Sequence, residues 1–336
     1  MFLSHQHRRR TGFTLVELMM VIAIIAILAA MGMAALAGAA EEGKRMRART
    51  QILKIDQLIN EKYNSFRYRQ LPVRIPAGPN AARARLSLTR ELMRMEMPER
   101  LTDLMDGPAP FHPTLNPVPL TNVPSIAMAY RRRVSATAAN TLSYDQAEML
   151  HVIIAEMRDG SGSALKHFMS SEIGDVDGDG MNEILDPWGT PIMFLRWAPG
   201  YSKFVATDPE LANKIAAPAP LPTVAVDTFQ IPDGSTKPDP MDPLKADFRW
   251  NNNMAAGFLP FELRPLIFSA GPDKRYDIYT DDAGAAFRYQ PNFNDPYAVI
   301  VQAGGNVWMG TPADYNNDGL EHGDNITNHG LKLEGQ

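Results

Sequence analysis

Two sets of residues have the types and spacing to do chemistry. The first is Glu17, the one acid in a run from Phe13 to Ala40 whose only other polar residue is Thr14. A charged residue near mid-membrane costs about 2.5 to 3.5 kcal/mol, and less near an end, so an acid kept in such a run calls for something that offsets the cost. The second set is a series of acidic loops. Gly174-Asp175-Val176-Asp177-Gly178-Asp179-Gly180-Met181-Asn182-Glu183-Ile184-Leu185-Asp186 places oxygen ligands at alternate positions and glycine at the sixth, as the start of a calcium loop does. Counting from Asp175, Met181 supplies its carbonyl at position seven, Glu183 stands at nine and Asp186 at twelve. An EF-hand carries Glu at twelve and has flanking helices, neither of which is evident here. Calcium binding and a solvated acidic turn are both open readings of this loop.

Two further acidic stretches follow. Asp314-Tyr315-Asn316-Asn317-Asp318-Gly319, continued by Glu321, Asp324 and Asn325, repeats the alternate-oxygen spacing with asparagine at position twelve, and fewer carboxylates mean weaker calcium binding. Ser269-Ala270-Gly271-Pro272-Asp273 leads into a third group, with Asp277, Asp281 and Asp282 close by.

These residues need elements to hold them. The run from Phe13 to Ala40 has 28 residues, and as a helix at ~1.5 Å per residue it spans about 42 Å, enough to cross a bilayer. Ile52, Ile55, Ile59, Tyr63 and Phe66 then recur at helical spacing, an amphipathic stripe suited to packing on a head. Pro72 disfavours helix at Leu71 and ends the pattern. One helix from Phe13 to about Arg69 is therefore expected, with Gly32, Gly38 and Gly43 as places where it bends. Leu86 to Met105 has helical spacing with a methionine-rich face, read as core. Ser143 and Gln146 form a capping box for a helix through Leu150, Ile153, Ile154 and Met157 to near Gly160, on which His151 is read as structural. Strands are expected at Ile192 to Trp197, Tyr201 to Val205, Pro265 to Ser269 and Tyr297 to Val301. Between them a proline-rich stretch, about 206–245, reads as an inserted loop or linker.

Composition sets the outer limits. The chain has 336 residues, of which 45% are hydrophobic and 21% charged, enough for one substantial core or two modest ones. A formal charge of -5 argues against a general polyanion binder, so no nucleic-acid partner is expected, and Lys44 to Arg49 and Arg131 to Arg133 read as solvated basic faces. The absence of cysteine excludes disulfides, thiolate metal sites and cysteine catalysis. No Gly-x-Ser-x-Gly elbow, His-Glu-x-x-His, Walker loop or dinucleotide fingerprint occurs, so no enzyme is expected; an exported calcium-stabilised hydrolase is the remaining enzymatic alternative. A secretory signal peptide shares the basic start at Arg8 to Arg10 and small-residue sites such as Ala35-Leu36-Ala37. The apolar run is longer than an ordinary h-region, however, and Glu17 near its start would weaken one.

The stretch Arg10-Thr11-Gly12-Phe13-Thr14-Leu15-Val16-Glu17 followed by the apolar run closely resembles the signal of type IV prepilins and of the pseudopilins of type II secretion systems. The resemblance implies that a prepilin peptidase cuts after Gly12 and methylates the amine of Phe13. It also implies that Glu17 pairs with the Phe13 ammonium of a neighbouring subunit. Asp186-Pro187-Trp188-Gly189 before a strand, and later Ser269 to Asp273 with an acidic turn, resemble in that order the head of the major pseudopilin. That likeness implies a small antiparallel sheet and a calcium ion ordering the acidic loop, with Asp273 and Asp281 as ligands and Asp277 and Asp282 beside them. Chain length and the proline-rich insert depart from a usual major subunit, which suits a minor or specialised one.

The expected fold is thus α+β: a leader at 1–12, a long N-terminal helix at 13–69 with its membrane-spanning segment at 13–40, and a head at 70–336 with a small antiparallel sheet and acidic calcium-type loops. The expected role is that of a pseudopilus subunit anchored in the bacterial inner membrane with its head in the periplasm. Its partners would be other pilin-like subunits, a prepilin peptidase, and an inner-membrane assembly platform with its ATPase. A type IV pilus subunit for adhesion, motility or DNA uptake is the main alternative.

Overall fold

The computed structural model describes residues 14–75, 77–108, 120, 122–134, 144–160, 162–201, 239–247, 260–280, 296–297, 299–302, 305–312 and 321–333. Gly12, Phe13, Asp281, Asp282, Asp314, Asn316 and Asp318 lie outside the described residues, as do Ser143 and 202–238 of the expected strand and insert. The chain divides into two compact units, Met1–Met46 and Arg47–Gln336.

Helix α1, Leu15–Ser65, contributes to both units. In the first unit its large apolar side chains from Leu15 to Leu36 are exposed, and the helix is long and apolar enough to cross a membrane. In the second unit Ala48, Ile52, Ile55, Ile59, Tyr63 and Phe66 are buried in the head's core, as their spacing requires. Each of the larger ones contributes on the order of 1.5 to 3 kcal/mol. The helix stops at Ser65, short of Arg69, because its last turn tightens: the amides of Phe66 and Arg67 donate to the carbonyls of Tyr63 and Asn64, three residues back.

The stretch from Leu86 to Met105 is two helices, α2 at Ala81–Glu96 and α3 at Leu101–Met105. Pro98 explains the break, since the residue before a proline is pushed out of helical geometry and Met97 has φ −131° and ψ 62°. A short α4, Ser125–Arg131, precedes α5, Asp145–Glu156. The N-cap of α5 is Tyr144 at φ 62° with no side-chain capping bond, one residue later than the expected Ser143 cap. Asp145 Oδ1 instead accepts the Leu101 amide at 2.8 Å, tying the start of α3 to the start of α5. His151 is half-buried on α5, and burial, then Arg133, pushes its pKa down to about 4, so it sits neutral as a structural residue.

The strands form small antiparallel sheets. Two-residue strands pair antiparallel, β1 (Arg158–Asp159) with β2 (Gly162–Ser163) and β3 (Ile173–Gly174) with β4 (Glu183–Ile184). The central three-stranded sheet has the order β5 (Met193–Leu195), β6 (Leu266–Ser269), β9 (Ile326–Thr327), with Phe194 opposite Ile267 and Phe268 opposite Thr327. A further pair joins β7 (Val299–Gln302) to β8 (Gly305–Trp308). Helix α6, Asn328–Leu333, follows β9, and its first residue links α1 to the sheet: Asn328 Nδ2 donates to Asp56 Oδ1 at 2.6 Å while Asn328 Oδ1 accepts the Ile267 amide at 3.0 Å. The architecture is α+β, as expected.

The proline-rich stretch is not wholly outside the core. Its last part, with Asp239, Met241 and Asp242, is buried, and Arg90 of α2 is bonded to Asp239 at 3.1 Å and to Asp247 at 2.6 Å. The end of the stretch is held there because aspartates in turns also serve as partners for buried cations.

Candidate functional site

At the start of α1 the structure shows a device that the apolar run conceals. Glu17 Oε2 accepts the Thr14 amide at 2.8 Å and the Thr14 hydroxyl at 3.0 Å, while the Glu17 amide donates to Thr14 Oγ1 at 3.2 Å. Helix α1 begins at Leu15, so Thr14 is the N-cap and Glu17 the third helical residue, a reciprocal capping box. Two of the helix's orphan amides are satisfied, and the anion lies at the positive end of the macrodipole. Thr14 was legible as part of a Thr-x-x-Glu pattern, but its partnership with Glu17 was not read from the sequence.

In the head the first acidic loop connects β3 to β4, whose register sets Gly174 opposite Glu183. Gly178 at φ 80° and Gly180 at φ 91° take left-handed conformations that side-chain-bearing residues rarely adopt. Asp175 fixes the turn, Oδ1 accepting the Gly178 amide at 2.7 Å and Oδ2 the Gly180 amide at 3.0 Å. Asp179 Oδ1 accepts the Met181 amide at 2.7 Å, and the Met181 side chain is buried in the core. The loop is thereby curled and anchored, with one carboxylate oxygen each from Asp175, Asp177 and Asp179 within 4.8 Å of one another.

A second group overlaps the first. Asp177 and Glu183 converge with Glu148 of α5, again with one carboxylate oxygen each within 4.8 Å. Helix α5 packs on β4 and β5, which brings Glu148 to the loop although it lies far upstream in sequence. Glu148 is 2% exposed and Glu183 0%, and Oε1 of each is buried with no hydrogen-bond partner. Burial, then the charges of Asp179, Asp145, Asp177 and Glu183, pushes the Glu148 carboxyl up to about 9. Burial is also the main cause that raises Glu183, to about 7, against the Val176 amide that stabilises its anion.

Asp186 is placed differently from its position-twelve expectation. Its Oδ1 accepts the Trp188 and Thr190 amides, each at 2.9 Å, and its Oδ2 accepts the Ser269 hydroxyl at 2.7 Å. Both oxygens thus shape the Asp-Pro-Trp-Gly turn and join it to the end of β6. The two head motifs, distant in sequence, meet at this bond.

The third acidic stretch gathers Asp273, Asp277 and Asp324, one carboxylate oxygen each within 4.8 Å. Asp324, which spacing assigned to the stretch from Asp314, lies with Asp273 and Asp277. Gly271 permits this approach: its φ is 74°, and a Cβ there would come within 2.5 Å of the Asp324 carbonyl oxygen. Gly271→Ala is expected to destabilise the head by more than about 1 kcal/mol, read as a lowered melting temperature; an unchanged melting curve would show that the approach is not needed.

Residues 7–33 fit the family model of the prokaryotic N-terminal methylation motif. No curated protein and no solved structure matches the chain. The chain therefore carries a type IV prepilin-like N-terminus, the motif of pilin-like structural proteins processed by a prepilin peptidase.

Proposed function

We propose that the protein is a structural subunit of a pseudopilus-type filament, a type II secretion pseudopilin cut after Gly12 and methylated on Phe13. The match at residues 7–33 carries the pilin-like part of this reading. The large apolar side chains of α1 from Leu15 to Leu36 are exposed, and they require a bilayer before assembly and neighbouring helices after it. Support for secretion comes from the head. The Asp186 turn leads into the central antiparallel sheet and is bonded to Ser269 of the second motif, so the two stretches that resemble the major pseudopilin form one structural unit.

In this reading the function is assembly, not catalysis. Among the described residues Glu17 is held by its own cap at Thr14, and in the filament the Phe13 amine of a neighbour neutralises its carboxylate. An inner-membrane platform and its ATPase would extract each subunit.

The test is the mature N-terminus, read by mass spectrometry in cells with and without an active prepilin peptidase. A chain beginning at methylated Phe13, present only with the peptidase, is the expected result. A start near Gly38 in both strains would mean an ordinary exported protein. For the choice of machine, deletion should abolish protein secretion and leave surface pili intact; the reverse pattern overturns the secretion reading.

A further inference from the structure

We infer that Glu148, Asp177 and Glu183 bind a divalent cation, calcium by its chemistry, which joins helix α5 to the β3–β4 loop. The site does not depend on the filament reading. Asp186, expected to close the loop, is occupied elsewhere, and the closing carboxylate comes from a helix upstream.

Three observations carry the assignment. The first is distance: oxygens bound to one calcium at about 2.4 Å lie no more than ~4.8 Å apart, and the three carboxylates each offer an oxygen within 4.8 Å of the others. The second is the state of those oxygens. Glu148 and Glu183 are 2% and 0% exposed, yet Oε1 of each lacks any hydrogen-bond donor. A buried carboxyl oxygen left without a donor is destabilising, and no arginine, lysine or histidine forms an ion pair with these three acids among the described residues. A cation supplies what the protein side chains do not. The third is loop construction. Both Asp175 oxygens and Oδ1 of Asp179 accept the loop's own amides, which fixes the backbone around Asp177, whose carboxylate meets those of Glu148 and Glu183.

The donor set decides the kind of cation. It consists of hard carboxylate oxygens with no imidazole or thiolate, which suits calcium and not zinc or copper. Calcium accepts six to eight oxygens in flexible geometry, so backbone carbonyls and water complete the shell, whereas magnesium needs a tighter octahedron.

The experiment uses the full chain in detergent, stripped with chelator and titrated with calcium chloride while its melting temperature is followed. Asp273→Asn serves as the background, so that the Asp273, Asp277 and Asp324 group does not add to the signal. Calcium is expected to raise the melting temperature by several degrees. Glu148→Gln should weaken the apparent calcium affinity by about tenfold or more, since one ligand charge is gone. In chelator the same variant should melt at or above the parent's temperature, because an acid buried among other acids has been replaced by a neutral amide of the same size. Asp177→Asn, on the less buried loop, should also weaken calcium binding. The inference is overturned if both variants keep the parent's calcium response, or if Glu148→Gln lowers the melting temperature in chelator.

Discussion

Arg90→Leu is expected to be the most destabilising single change in the head, costing about 3 to 5 kcal/mol. Arg90 is 2% exposed and holds two carboxylates, Asp239 at 3.1 Å and Asp247 at 2.6 Å. Its guanidinium also lies over the Tyr297 ring, 6.0 Å from the centroid. Removing the cation leaves two buried anions in place, and that penalty exceeds the loss of the attraction itself. For a unit of this size the change corresponds to a drop of about 10 °C in melting temperature. Adding Asp239→Asn and Asp247→Asn to Arg90→Leu should restore a large part of the loss, because the stranded charges are then gone. A cost below about 1 kcal/mol for Arg90→Leu, the range of exposed ion pairs, would show that the pairing is weak. The partners come from 239–247, so the same experiment measures how firmly the end of the proline-rich stretch is held to α2.

That segment shows where the sequence stops being legible. The stripe Ile52, Ile55, Ile59, Tyr63 and Phe66 is a local pattern, and the buried face of α1 follows from it directly. The strands around Phe194 and Ile267 were legible for the same reason, since β-branched and aromatic residues between turn signals are also local. Arg90 with Asp239 is a pairing across 149 positions, and nothing in either neighbourhood announces it. Glu148 was missed on the same grounds, although one local signal existed: it sits in a helix whose residues from Gln146 to Ile154 are almost all buried, leaving an acid there no solvent face. Asp186 shows the opposite case: spacing offered it as a position-twelve ligand, and the structure sets its Oδ1 on the amides of Trp188 and Thr190 and its Oδ2 on the Ser269 hydroxyl. The helical break at Met97 was readable from Pro98 and should outweigh apolar spacing whenever the two conflict.

Substitutions at Glu17 are expected to separate two roles that one carboxylate performs. Within a single chain it completes a capping box with Thr14, and such a cap is worth ~1 kcal/mol. In the proposed filament it would also neutralise the Phe13 ammonium of a neighbour, and breaking a buried pair costs about 3 to 5 kcal/mol. The second effect is larger, so the variants should divide by charge and not by capping. Glu17→Gln keeps an oxygen that can accept the Thr14 amide but removes the anion; it should be processed and inserted normally, yet largely fail to enter filaments. Glu17→Ala loses both roles and should be no worse than Glu17→Gln by more than the small capping difference. Thr14→Val removes the cap and leaves the charge, and should enter filaments at close to the parent level. Crosslinking of neighbouring subunits, with immunoblots for processing, reads all three. Were Thr14→Val to fail while Glu17→Gln assembled, the carboxylate would be serving only to start its own helix, and the register of the filament would have to be set by another contact.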